Sequence, residues 1–233
     1  MQEVKIDIRY SGGSADDHKI DLYDAGASIT GIARAIAITT HALVSGGEVR
    51  TNAGSVPNVK TYLHPSKKGS LIESISIIFE DPAVAALGVS TISASLWAMI
   101  KYTWWIATGR ENTPENHKVR RIVNDNESID LELSENLEKP FQQFLRPIKR
   151  GSDMKIQVLR PRVGQVLEFD YDTKEDVSTV IDDGEQSDIL CNVTKHNILT
   201  GYGRLLKSQP KTQVSLKFKS NKAAVSIRGR GKF

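Results

Sequence analysis

Few side chains in this chain stand at spacings that chemistry needs. The five histidines, His18, His41, His64, His117 and His196, lie far apart, and no two have the spacing of metal ligands. The single cysteine, Cys191, falls in an apparent strand, Ile189-Leu-Cys-Asn-Val193. A thiol there is expected to be buried and inert, not a nucleophile. Asp16-Asp17, and Asp182-Asp183 with Glu185, have the charge to hold a cation, but acidic pairs beside turns ordinarily face water. Ser11-Gly-Gly-Ser14 and Gly201-Tyr-Gly203 lack the lysine of a phosphate loop, and no nucleophile elbow occurs. The sequence therefore assigns no catalytic residue, no metal and no cofactor. An active site gathered from distant residues stays open at this level.

Two other stretches invite function. The first is the apolar run after Pro82. From Ala83 to Ile100 there is no charge, and all three tryptophans, Trp97, Trp104 and Trp105, lie in or just beyond it. A helix over 83–107 is apolar nearly all round, so it must be buried in protein or in lipid. Its length, its Lys101 and Arg110 flank and its aromatic end resemble a membrane-entering segment. The serines and alanines in its middle favour packing inside a protein or against a second copy, and a ligand pocket lined by the tryptophans is the remaining reading. Leu87, Ser90, Thr91, Ala94, Ala98 and Lys101 share one of its faces. Leu87, Leu96, Trp97, Ile100, Trp104 and Trp105 are the expected interaction residues of this helix, toward another copy, a protein partner or a membrane.

The second stretch is the basic C-terminal end. Beyond Asp188 there is no acidic residue, although the whole chain carries a net charge of only +3. Lys217 and Lys219 flank Phe218 and would share one strand face. With Lys222, Arg228 and Arg230 they form the alternative expected site, a basic sheet face that binds nucleic acid.

The elements that must position these stretches follow from periodicity. Val4, Ile6, Ile8 and Tyr10 alternate with charged residues, which is a half-buried strand. A helix follows, capped by Asp24 and closed by Gly46-Gly47, with Ile29, Ile32, Ala33, Ile36 and Leu43 at helical spacing. Val59–His64 and Ser70–Phe79 read as a hairpin. In its second strand Glu73 shares a face with Leu71, Ile75, Ile77 and Phe79. A second hairpin is expected from 118–123 and 128–133, then a short helix opened by Pro140, then a strand at Met154–Val158. Arg160–Gly164 reads as a linker.

These elements make an α+β fold, an antiparallel sheet with packed helices over residues 1–160, followed by a small all-β domain over 165–233. The segment Asp188–Leu205 resembles the strand–turn–strand of an OB- or SH3-like barrel. The Asp24–Leu43 helix, the Lys67–Ile77 run and the apolar helix after it resemble uncharacterised bacterial and prophage-encoded proteins. That resemblance implies a bacterial cytoplasmic protein, with membrane association open, acting in phage–host conflict, and it brings no catalytic residues. Composition is that of a globular chain: 233 residues, 39% hydrophobic and 25% charged. One cysteine and an acidic, polar N-terminus point to a reducing compartment without a secretion signal.

Overall fold

The computed structural model describes residues 1–50, 54–65, 72–110 and 112–178, and the backbone of three later strands. Five strands form one antiparallel sheet: β1 Gln2–Ser11, β2 Val59–His64, β3 Ile72–Phe79, β4 Lys155–Arg160 and β5 Gly164–Phe169, in the order β2-β3-β1-β4-β5. The register explains why strict alternation served β1 so well. Val4 lies opposite Ile77 and Ile6 opposite Ile75, while on the other side Ile8 meets Val158 and Tyr10 meets Ile156. Leu167 and Phe169 continue the row on β5. From β5 across β4 and β1 to Ile75 and Ile77 of β3, one face of the sheet is thus an apolar layer, and these residues are buried.

Helices α1 Leu22–Val44, α3 Val89–Ala107 and α5 Ile129–Phe144 pack together and complete one core with that face. Of three short helices, α2 Pro82–Ala85 leads into α3, α4 His117–Asn124 joins α3 to α5, and α6 Tyr171–Ser178 follows β5. The cap of α1 is Asp21, three residues before the expected Asp24, and its carboxylate accepts from the amides of Tyr23 and Asp24. Asp24 does different work. It is buried, with its carboxylate 2.9 Å from Arg146 and 2.6 Å from Lys149. Burial alone would raise its pKa, but the hydrogen bonds and charges of Lys149 and Arg146 outweigh burial and hold it below the ordinary range.

The crossing of α1 and α5 is very close. A Cβ on Gly31 would lie 2.4 Å from both the Phe144 nitrogen and the Pro140 carbonyl oxygen. Ser28 donates to the Phe144 carbonyl at 2.7 Å, and its oxygen lies 2.9 Å from the Tyr10 hydroxyl. Beside the crossing, Trp104, Phe141, Phe144 and Phe169 pack edge to face with centroids 5.6–5.7 Å apart.

Besides the cap of α1, the structure corrects four expectations. Residues 118–123 and 128–133 are helical, in α4 and α5, and form no hairpin. Ile129, Leu133, Leu137, Phe141 and Phe144 bury one helical stripe, which decides the matter. Pro140 lies inside α5 rather than opening a new helix. Arg160–Gly164 is the turn of the β4–β5 hairpin rather than a linker, and the chain divides instead into units Met1–Ser178 and Thr179–Phe233. The expected helix 83–107 is interrupted: α2 ends at Ala85, and Gly88, at φ 80°, turns the chain into α3.

The second unit contains β6 Cys191–His196, β7 Tyr202–Lys207 and β8 Gln213–Lys217, antiparallel in that order.

Candidate functional site

The apolar helix that dominates the sequence is a core element. Leu96, Ile100 and Trp104 are fully buried, and Trp97 nearly so. Trp105 is partly buried, with the Arg110 guanidinium 5.3 Å from its ring centre. Leu87 alone among the expected interaction residues is well exposed, and it lies in the turn before α3. Trp105 Nε1 is buried without a hydrogen-bond partner among the described residues, but other polar groups of α3 are paired inside the protein. Thr103 and Thr39 hydroxyls lie 3.0 Å apart, and Trp104 Nε1 donates to Thr39 at 3.1 Å. Its outward face is Val89, Ser90, Thr91 and Ala94, small and nearly uncharged, which is why the whole helix looks apolar on paper. Among the described residues the helix long and apolar enough to cross a membrane is α1, with mean hydropathy 1.3, and 61% of that stretch is buried within the protein.

Among the described residues no group of three or more histidine, cysteine, aspartate or glutamate side chains could hold a metal. His41 is buried with Nδ1 2.9 Å from the Glu48 carbonyl, so it anchors the loop after α1. His64 lies 2.6 Å from the Ser76 hydroxyl on the outer face of the sheet. His18 occupies a turn at φ 58°, and His117 opens α4. Asp16 closes a turn by accepting from the Gly12 amide. Cys191 and His196 are the end residues of β6. Lys217 is the last residue of β8, whereas Asp182, Asp183, Glu185, Lys219, Lys222, Arg228 and Arg230 lie outside the described residues.

What the sequence did not single out is a groove at the other end of the apolar layer. Strand β2 is the edge of the sheet. Val59, Thr61 and Leu63 lie opposite Phe79, Ile77 and Ile75, so they belong to the helix-facing side. Yet Thr61 is exposed and Leu63 remains 48% exposed. The α1 residues beside them include Ala33 and Ala37, too short to reach the strand. The result is a cavity of about 430 Å³ between α1 and the β2–β3 hairpin. Ile29, Ile32 and Ile36 form its helical wall, Ile75 its floor, and Gly54–Val56 one rim.

One ionisable side chain lies on the helix-facing side of the lining. Glu73, opposite Ile8 on β3, occupies the same face as Ile75 and Ile77. It is partly buried, and no hydrogen bond or ion pair joins it to another described residue. Burial pushes its carboxyl pKa up. Nearby, burial pushes the Tyr10 phenol up to about 12, and the Glu73 carboxylate adds to that rise. Lys60, whose residue also lines the groove, belongs to the other face of β2, and its ammonium is paired to Glu80 at 2.7 Å.

The sequence held a signal for this site. A glutamate in phase with four apolar residues on one strand face has to be either paired or functional. The unfilled space was not legible, because it arises from alanines on one element meeting an edge strand distant in sequence.

No curated protein and no solved structure matches the chain. A family model matches residues 6–178, which span the described part of the five-stranded sheet and its helices from mid-β1 to the end of α6, groove included. The chain belongs to that family, described as a domain of unknown function (DUF7946).

Proposed function

We propose that this chain is a non-enzymatic recognition protein whose binding surface is the groove between α1 and the β2–β3 hairpin. The observation that carries this reading is unfilled volume on the same sheet face that the Trp104, Phe141, Phe144 and Phe169 cluster closes. About 430 Å³ falls within the range of ligand pockets, roughly 300–1,000 Å³. Its helical wall and floor are aliphatic, and its strand side and rim carry polar residues, Ser55, Thr61 and Glu73 among them, a composition suited to holding an apolar body and orienting it. Interaction through Leu96, Trp97, Ile100 and Trp104 would require the core to open. The groove therefore takes over the role that the sequence suggested for the apolar helix.

The test is uptake of a neutral solvatochromic dye, Nile red, by the purified protein. Ala33 is exposed on the groove wall, so Ala33→Trp fills the space without disturbing the core. Dye fluorescence should rise with the native protein and fall at least about tenfold in apparent affinity with the variant. Equal uptake by both proteins would refute the assignment.

A second reading concerns the C-terminal unit. We infer that β6, β7 and β8 belong to a small OB- or SH3-like barrel whose basic side holds nucleic acid. The antiparallel order of the three strands and the acid-free run after Asp188 support it. Anisotropy of a labelled single-stranded oligonucleotide should then drop steeply with salt. It should disappear with Lys217→Glu, Lys219→Glu and Arg228→Glu combined, and unchanged affinity in that variant would exclude the basic face.

A further inference from the structure

Resting on the groove reading, we propose that the occupant of the groove is an apolar cation: an aliphatic body ending in an ammonium group that pairs with Glu73. The inward positions of β3 are otherwise Ile75, Ile77 and Phe79, all buried. A carboxyl in that row loses water and receives nothing in return from any described residue. Such a group is costly to keep unless something binds to it.

The charge balance of the site selects the sign of the ligand. The helical wall supplies Ile29, Ile32, Ala33, Ile36 and Ala37 and no charge. Lys60 is held by Glu80 on the opposite side of β2. Tyr62 also lines the groove but belongs, like Lys60, to the outer face of β2, and Tyr10 stays neutral through the physiological range. An ionised Glu73 is then the one uncompensated charge facing the cavity among the described residues. An anionic ligand would meet repulsion there, and a neutral one would leave the carboxylate desolvated without a partner. An ammonium restores a charge-assisted hydrogen bond while its hydrocarbon part covers the aliphatic wall.

Calorimetric titration with three probes of one chain length, octylammonium, octanol and octanoate, at pH 8 separates the claims. Octylammonium should bind about tenfold more tightly than octanol, the low end for a charged hydrogen bond at a partly open site. Octanoate should bind most weakly. Glu73→Gln, which keeps shape and removes charge, should bring octylammonium down to the octanol value. If octanol and octylammonium bind equally to the native protein and both are lost in Ala33→Trp, the cation claim is overturned while the groove stands. If no probe binds, or Ala33→Trp binds all three as the native protein does, the groove fails and the cation claim fails with it.

Discussion

The two ends of one apolar sheet face are finished in opposite ways. Over β1, β4 and β5 the layer is closed by Leu96, Trp104, Phe141 and Phe144, with Phe169 rising from the sheet to meet the rings. Helices there approach so closely that Gly31 has no room for a methyl group. Over β2 and the start of β3 the same face is met by Ala33 and Ala37, and a cavity remains. Aromatic side chains fill one end. The other is lined by three isoleucines and two alanines of α1 opposite an edge strand, with a carboxyl added. Interiors pack to near-crystalline density, so an unfilled end beside a filled one marks a position kept free of side chains.

The sharpest way to break this comparison is to put one substitution at both ends. Leu96→Asp buries an unpartnered carboxylate in the closed core. It should cost more than about 4 kcal/mol, enough to abolish cooperative unfolding in a chain of ordinary stability. Leu63→Asp at the open end should cost less than about 1 kcal/mol. Urea unfolding followed by circular dichroism reads both. A folded Leu96→Asp variant with altered native mass would instead return the apolar helix to the role of an interface.

Gly31→Ala comes next. The added methyl meets backbone of α5, which cannot rotate away, so the crossing must spread at a cost of about 1–3 kcal/mol. The same urea experiment measures it, and a neutral result would show that the helices are not in fixed contact.

The smallest effect has the opposite sign. The pKa of Glu73 is raised in the folded protein, so its contribution to stability is complete below the ordinary glutamate pKa and is lost as pH rises through the raised value. Glu73→Gln removes that loss. The variant should be more stable than the native protein at pH 7 by no more than about 1 kcal/mol, because the carboxyl keeps part of its water. The gain should vanish in acid. Of the neighbouring groups, the Tyr10 phenol is pushed up to about 12, the Lys60–Glu80 pair and Tyr62 belong to the outer face of the sheet, and α1 adds no charge to the lining. A variant that gains stability and loses octylammonium would place Glu73 among residues kept for binding at the expense of the fold.

Much of this architecture is legible in the residues. The alternation of β1 and the spacing of α1 gave strand and helix directly, since each has one wet and one dry face. Leu131 and Leu133 alternate with Asp130 and Glu132, which imitates a strand over five residues. Only the longer stripe from Ile129 to Phe144 reveals α5. Helix α3 misled for a physical reason: its solvent face is built from Ser90, Thr91 and Ala94 instead of charges, so periodicity vanishes although the helix has an inside and an outside. Glu73 was visible as a misfit among apolar residues. The cavity around it was not, because its walls come from α1 and an edge strand joined through 45–58, and their separation is a tertiary fact.

The most direct measurement is methyl NMR of protein labelled at isoleucine and leucine, titrated with octylammonium. The account predicts shifts at Ile29, Ile32, Ile36, Leu63 and Ile75, with Leu96, Ile100, Leu133 and Leu137 unmoved. Shifts concentrated on the second group, or none anywhere at millimolar probe, would contradict the claim that this protein binds its ligand between α1 and the β2–β3 hairpin.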